Sequence, residues 1–188
     1  MNNNLKDKFF ASVAGTSDSP MAIEIDHAKG MYIFDKQGKE YLDMLAGISV
    51  CNMGHGNPKI IEAVKQQIDR YMHVMVYGEL IQEPQVELAS LLTAQLPPPL
   101  SSVFFVNSGS EAVEGGLKLA KRVTGRQEIV YCHNAYHGCT HGAMSVMGTE
   151  DFKKSFQPLL PNTKAINFGN EEDLDQITTQ TACFIVEP

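Results

Sequence analysis

Hydrophobic and polar positions follow two different rhythms along this chain. Residues 1–14 form a loose amphipathic lead-in, closed by a turn-rich stretch from Gly15 to Pro20. Three short strand-like runs follow, Ala22–Asp26, Met31–Phe34 and Glu40–Asp43, with Ala28-Lys29-Gly30 and Asp35–Gly38 as the turns between them. So small a meander cannot bury a face alone and must pack on something larger. Helical spacing then takes over. Ile60, Ile61, Val64 and Ile68 share one face of a helix predicted over Pro58–Met72, with Asn57 as N-cap and Pro58 in the first position. A second helix starts near Pro84, carries Val86, Leu88, Ala89, Leu91 and Leu92, and stops at Pro97-Pro98-Pro99.

Beyond that proline run the pattern changes. Short continuous apolar runs (Val103–Val106, Glu128–Tyr131, Lys164–Asn167, Ala182–Val186) alternate with helical ones (Ser110–Thr124, about Thr140–Met147, Glu171–Ile177). This alternation predicts an α/β domain whose sheet is buried on both faces. The expected division is an N-terminal segment with the strand meander over 1–56, and the first part of a larger domain over 57–188. The last apolar run reads as a central strand and is followed directly by Glu187-Pro188, so the sequence is expected to be the front part of a longer protein.

Composition narrows the function classes. With 43% hydrophobic and 20% charged residues, the chain has the make-up of a folded domain. Net charge is −7, and the nearest thing to a basic cluster, Lys118, Lys121 and Arg122, is spaced like the outer face of a helix. Nucleic acid and anionic membranes are therefore not expected partners. No apolar run has the length of a membrane span, and Met1–Lys8 has no signal-peptide core. Cys51, Cys132, Cys139 and Cys183 lack a disulfide-framework spacing, so reduced thiols and a cytoplasmic location are expected.

The stretch Val103-Phe-Phe-Val-Asn-Ser-Gly-Ser-Glu-Ala-Val-Glu combines an apolar run, a small polar turn and a helix start. Ser108 and Glu111 have capping-box spacing: Ser108 can accept from the Glu111 amide while Glu111 reaches back to the Ser108 amide. The Gly109 and Ser110 amides are then free at the positive end of the helix dipole, a place that suits an anion. Each such contact is worth roughly 0.3–1 kcal/mol when exposed. The same spacing also suits an ordinary capped helix. A second candidate is Tyr131-Cys-His-Asn-Ala-Tyr-His-Gly-Cys-Thr-His, which directly follows a strand, where open α/β sheets hold ligands. Tyr136 can offer a flat face to a planar ring, and Gly138 lets the chain turn beside it. His133, His137 and His141, with Cys132 and Cys139, could instead suggest a zinc site. Gly138 interrupts the helix that would align them, and no carboxylate has the usual zinc-enzyme spacing, so a metal is disfavoured, and for His141 a hydrogen-bonded structural role is the preferred reading.

Six segments, in order, resemble motifs of the class III pyridoxal-phosphate (PLP)-dependent aminotransferases, the group containing acetylornithine and ornithine aminotransferases. They are Tyr41-Leu-Asp-Met-Leu-Ala-Gly-Ile-Ser-Val, Met53-Gly-His-Gly-Asn-Pro, Asn107-Ser-Gly-Ser-Glu-Ala, Tyr136-His-Gly, Phe156-Gln-Pro-Leu-Leu-Pro and Ile185-Val-Glu-Pro. The resemblance implies a PLP-dependent transferase of fold type I, here incomplete, that moves an amino group between an amine or amino acid and a 2-oxo acid. It implies that Ser108, Gly109 and Ser110 hold the cofactor phosphate, that Tyr136 stacks on the pyridine ring with His137 beside it, and that Glu187 stands next to the site. Ile48, Tyr77 and Cys139 would line the substrate side, partly across the interface of a homodimer.

Two departures stand out. Relatives acting on ornithine-like substrates often have arginine after His-Gly, where it can grip a carboxylate bidentately; here the residue is Cys139. The family's ring-nitrogen aspartate and Schiff-base lysine lie downstream of its Val-Glu-Pro segment, and no lysine of this chain matches that position. No residue here is therefore assigned a catalytic role, and the chain alone is expected not to transaminate. The alternatives are a lysine-free PLP- or phosphate-binding or interaction module, the product of a split or decayed gene, and, less favoured, a zinc hydrolase.

Overall fold

The computed structural model describes residues 4–75 and 78–188, and the chain divides into two compact units, Met1–Gln82 and Glu83–Pro188.

The first unit starts with helix α1 (Leu5–Ser12), where the Asn4 side chain accepts from the Lys6 amide at 3.2 Å. Strands β1 (Ile25–Lys29), β2 (Tyr32–Asp35) and β3 (Glu40–Leu42) form an antiparallel sheet in that order. β1 lies three residues later than the apolar pattern indicated. His27, Ala28 and Lys29 pair with Phe34, Ile33 and Tyr32, and the His27 ring stacks on Phe34 at 4.5 Å, so cross-strand partners decide the register. Asp35 closes β2 by accepting from the Gln37 and Lys39 amides, at 2.9 Å each, and from the Tyr41 hydroxyl at 2.8 Å. Burial pushes its carboxyl up, but these hydrogen bonds outweigh burial and hold it below the ordinary carboxylate value.

Asp43 joins two of the quoted motifs. It accepts from His55 Nε2 at 2.7 Å and from the Ala46 and Leu45 amides at 2.8 and 3.1 Å. The His55 hydrogen bond leads these in keeping the Asp43 carboxyl below its ordinary value. The His55 backbone in turn exchanges two hydrogen bonds with Gly30, tying the chain back to the strand turn. One-turn helix α2 (Ala46–Ser49) and helix α3 (Pro58–Arg70) complete the unit, and Asn57 Oδ1 accepts from the Lys59 and Ile60 amides as its cap.

The second unit holds helices α4 (Glu83–Thr93), α5 (Gly109–Thr124) and α6 (His141–Ser145), with strands β4 (Glu128–Cys132), β5 (Thr163–Ile166) and β6 (Thr181–Ile185). The sheet is parallel in the order β5-β4-β6. β4 is its centre. On one face Ile129 and Tyr131 pack with Leu117 of α5 and Val146; on the other, Val130 and Cys132 pack with Ile166. A strand buried on both faces explains why its sequence is continuously apolar.

Three further expectations need correction. Residues 103–106 form no strand: an apolar run becomes one only when a neighbour pairs with its backbone, and none does so among the described residues. Phe104 accordingly stays 80% exposed. The helix read over 140–147 is shorter, because the Val146 and Met147 amides turn back to Ala143 and Met144 and tighten its last turn. Residues 172–176 form a 3₁₀ segment, where Asp173 accepts from both the amide and the side chain of Asn167, at 2.7 and 2.8 Å, a local bond that competes with helix propagation.

Ile129 is fully buried at the middle of β4. Ile129→Ala should lower the apparent unfolding free energy of this unit by about 2–4 kcal/mol, read by urea denaturation followed by circular dichroism; a change below about 0.5 kcal/mol would show that β4 is not its core.

Candidate functional site

In the second unit the chain leaves β4 for β5 on one side and then crosses back to β6 on the other. Such a reversal opens a crevice beyond the carboxyl ends of the strands, where open α/β sheets bind ligands. The 133–140 loop leaves β4 at this end, and Glu187 follows β6.

The start of α5 is built by its caps. Ser108 Oγ accepts from the Glu111 amide at 3.2 Å, as its spacing predicts. Glu111 Oε2 reaches one residue further back than expected and takes the Asn107 amide at 2.6 Å. Among the described residues nothing accepts from the amides of Ser108, Gly109 and Ser110. A Cβ at Gly109 would meet nothing within 4 Å, so the backbone there is open to an approaching group.

Ser110 brings the second candidate to the first. Its Oγ accepts from the Cys139 amide at 3.2 Å, and a Cβ at Gly138 would collide with the Ser110 side chain. Gly138 also has a φ of 121°, which L side chains rarely adopt. Glycine is thus required here by contact as well as by conformation. The Ser110 hydroxyl proton remains available, because accepting one bond leaves a hydroxyl free to donate.

Tyr136 is 59% exposed. His137 is partly buried, and its Nε2 is buried without a partner among the described residues. Burial pushes the imidazole pKa down, while the Glu187 charge opposes that, so these two residues feel each other across the ends of β4 and β6. The Cys139 thiol is exposed. Ser108, Gly109, Ser110, Tyr136, His137, Cys139 and Glu187 thus all belong to the second unit. Ile48 lies in the first unit, 87% exposed, with φ and ψ of 60°, a left-handed conformation unusual for a β-branched residue. Tyr77 lies outside the described residues. Among those residues no group of three or more His, Cys, Asp or Glu is arranged to hold a metal ion. His133 extends the ladder by donating its amide to the Ile166 carbonyl at 2.9 Å, and His141 opens α6.

Glu114 closes the quoted stretch that begins at Val103, but its sequence context assigned it no role. Its Oε1 accepts from Thr140 Oγ1 at 2.7 Å and from the Gly142 and Ala143 amides at 2.8 and 3.4 Å. The available hint was Gly142 inside an apolar helical run, where glycine is poorly placed unless something approaches closely.

The model of the class-III aminotransferase family matches residues 13–188. The chain belongs to the class-III aminotransferases. It is 38% identical over 173 residues to acetylornithine aminotransferase of Clostridium acetobutylicum, covering 88% of this chain and 44% of that protein. Among solved structures it is similar to adenosylmethionine-8-amino-7-oxononanoate aminotransferase of Methanocaldococcus jannaschii, with a TM-score of 0.83, 29% identity, and coverage of 96% of this chain and 45% of the other. Taurine:2-oxoglutarate aminotransferase of Bifidobacterium kashiwanohense, solved with PLP and glutamate, matches with a TM-score of 0.85 and 27% identity, over 96% and 46%. This class-III aminotransferase chain therefore has part of the fold type I architecture and spans under half the length of these relatives.

Two measurements test the geometry. Gly138→Ala should destabilise the chain by more than about 1 kcal/mol, and an unchanged denaturation midpoint would contradict the Ser110 contact. The His137 imidazole, followed by NMR, should titrate below the ordinary value of about 6.5, and Glu187→Gln should lower it further. With the folded-state pKa depressed, the stability this group contributes is complete above the ordinary value. It declines as pH drops through the lowered one. A His137 titration unmoved by Glu187→Gln would separate the two residues.

Proposed function

We propose that this chain contributes the phosphate and ring cradle of a PLP-dependent aminotransferase that exchanges an amino group between an amine or amino acid and a 2-oxo acid. The supporting observation is the meeting of the α5 amino terminus and the aromatic loop through the Ser110–Cys139 hydrogen bond. The residues present suit the cofactor. The Ser108, Gly109 and Ser110 amides, with the helix dipole behind them, suit a phosphate dianion, and nothing fills the space over Gly109. The exposed Tyr136 ring suits stacking on a pyridine.

When bound, PLP supplies the electron sink for amino-group transfer. The chain's own residues would position it: amides and the Ser110 hydroxyl fix the phosphate, Tyr136 limits the tilt of the ring, and His137 and Glu187 follow the ends of β4 and β6. Cys139 cannot reproduce a guanidinium grip on a carboxylate, which argues for a substrate bound otherwise than ornithine-like ones. Buried Lys153 is no substitute for the family's lysine. Its Nζ donates to the Tyr131 hydroxyl at 3.0 Å and pairs with Glu150 at 2.9 Å. Burial pushes the ammonium pKa down, but Glu150 and Tyr131 outweigh burial and keep it protonated and unreactive.

The full enzyme is proposed as a cytoplasmic homodimer. Met44, Leu45, Ile48, Val50 and Met53, all exposed in the first unit, have the apolar character of a partner-facing segment. Titration of the purified chain with PLP should give saturable binding that competes with inorganic phosphate, and borohydride should fix no cofactor to any lysine. Absence of saturable binding, or amino-group transfer by the 188-residue chain alone, would each contradict the proposal.

A further inference from the structure

Two residues four apart on α5 meet two residues four apart on the segment that runs from the loop into α6. Ser110 lies against Gly138, and a Cβ at Gly138 would collide with its hydroxyl; Glu114 lies against Gly142, and a Cβ at Gly142 would collide with its carboxylate. The hydrogen bonds run in parallel, Cys139 amide to Ser110 Oγ at 3.2 Å and Gly142 amide to Glu114 Oε1 at 2.8 Å. Residues at i and i+4 of a helix share a face, so both contacts come from one side of α5. The capping of α6 is consistent with this. Its own N-cap residue, Thr140, makes no side-chain cap hydrogen bond, and its hydroxyl donates to Glu114 at 2.7 Å instead. The first amides of α6 are thus satisfied by a carboxylate from another helix.

We infer that Glu114 is a positioning residue of the cradle. It holds the Gly138–Ala143 segment against α5, and so fixes the plane of Tyr136 relative to the free amides at Gly109 and Ser110. This rests on the cofactor reading above. Glu114 itself is placed one helical turn beyond the phosphate-binding end of α5 and acts through the loop. Without it, Ser110 would be the remaining side-chain tie between α5 and this loop among the described residues, and one hydrogen bond fixes a position but not a rotation.

The test uses the whole 188-residue chain with PLP as probe, and compares Glu114→Ala, Glu114→Gln and Glu114→Asp. Three quantities are read: the dissociation constant, the induced circular dichroism of bound PLP, and hydrogen exchange at the Gly142 and Ala143 amides without ligand. Glu114→Ala should weaken PLP about tenfold, diminish the induced signal and speed exchange at both amides. Glu114→Gln keeps an acceptor oxygen and should recover binding to within about threefold of wild type. Glu114→Asp keeps the charge but withdraws the oxygen by about 1.5 Å, so it should behave like the alanine variant and replaces it if that one fails to fold. Wild-type affinity and induced signal in Glu114→Asp or Glu114→Ala would overturn the inference while leaving the cofactor reading intact. A wild-type chain that takes up no PLP would overturn both.

Discussion

The proposed site depends on one close approach, the seating of the loop that follows β4 against the first two turns of α5. Neither part alone would make the proposed site. A helix amino terminus with free amides is common, and an exposed tyrosine after a strand is commoner. Ser110 turns them into one surface by accepting the Cys139 amide, and Glu114 holds the next four residues of the loop in register. Glycine at 138 and 142 is what lets main chain and side chain come this close. The role proposed for this chain is to hold a phosphate and a flat ring at a fixed relative position, and such a seating would serve it.

The sheet supplies the foundation. β4 is hydrogen-bonded on both flanks and packed on both faces, and it delivers the loop from the stiffest part of the unit. α5 packs its Leu117 against that same strand. Helix and loop therefore refer to a common support, and the gap between them is set by core packing. In the first unit the corresponding anchor is polar: Asp43 gathers His55 and two backbone amides and ties the strand meander to the segment leading into α3.

Much of this was readable along the chain, where the signal was local. Asn57 and Pro58 mark the start of α3, and Ser108 and Glu111 the start of α5. The failures share a cause. Val103–Val106 has strand composition but no partner among the described residues, and β1 was shifted because its register is set by Tyr32, Ile33 and Phe34 across the turn. Gly138 was read as a turn residue, whereas its tightest constraint is contact with Ser110, far away in sequence. Glu114 looked like any polar residue on an amphipathic helix, because its partners lie 26 to 29 positions away.

The return of the chain after α6 has a consequence for motion. The Gly148 amide donates to the Ala135 carbonyl at 2.8 Å, and a Cβ at Gly148 would strike the backbone of Cys132, Asn134 and Ala135. Residues 135–148 are thereby closed into a ring, stapled at its neck and pinned at Ser110 and Glu114. Closed at both ends in this way, the segment has the make-up of one cooperative unit. The main chain that carries Tyr136 would therefore meet an incoming ligand with its ordering entropy already spent during folding.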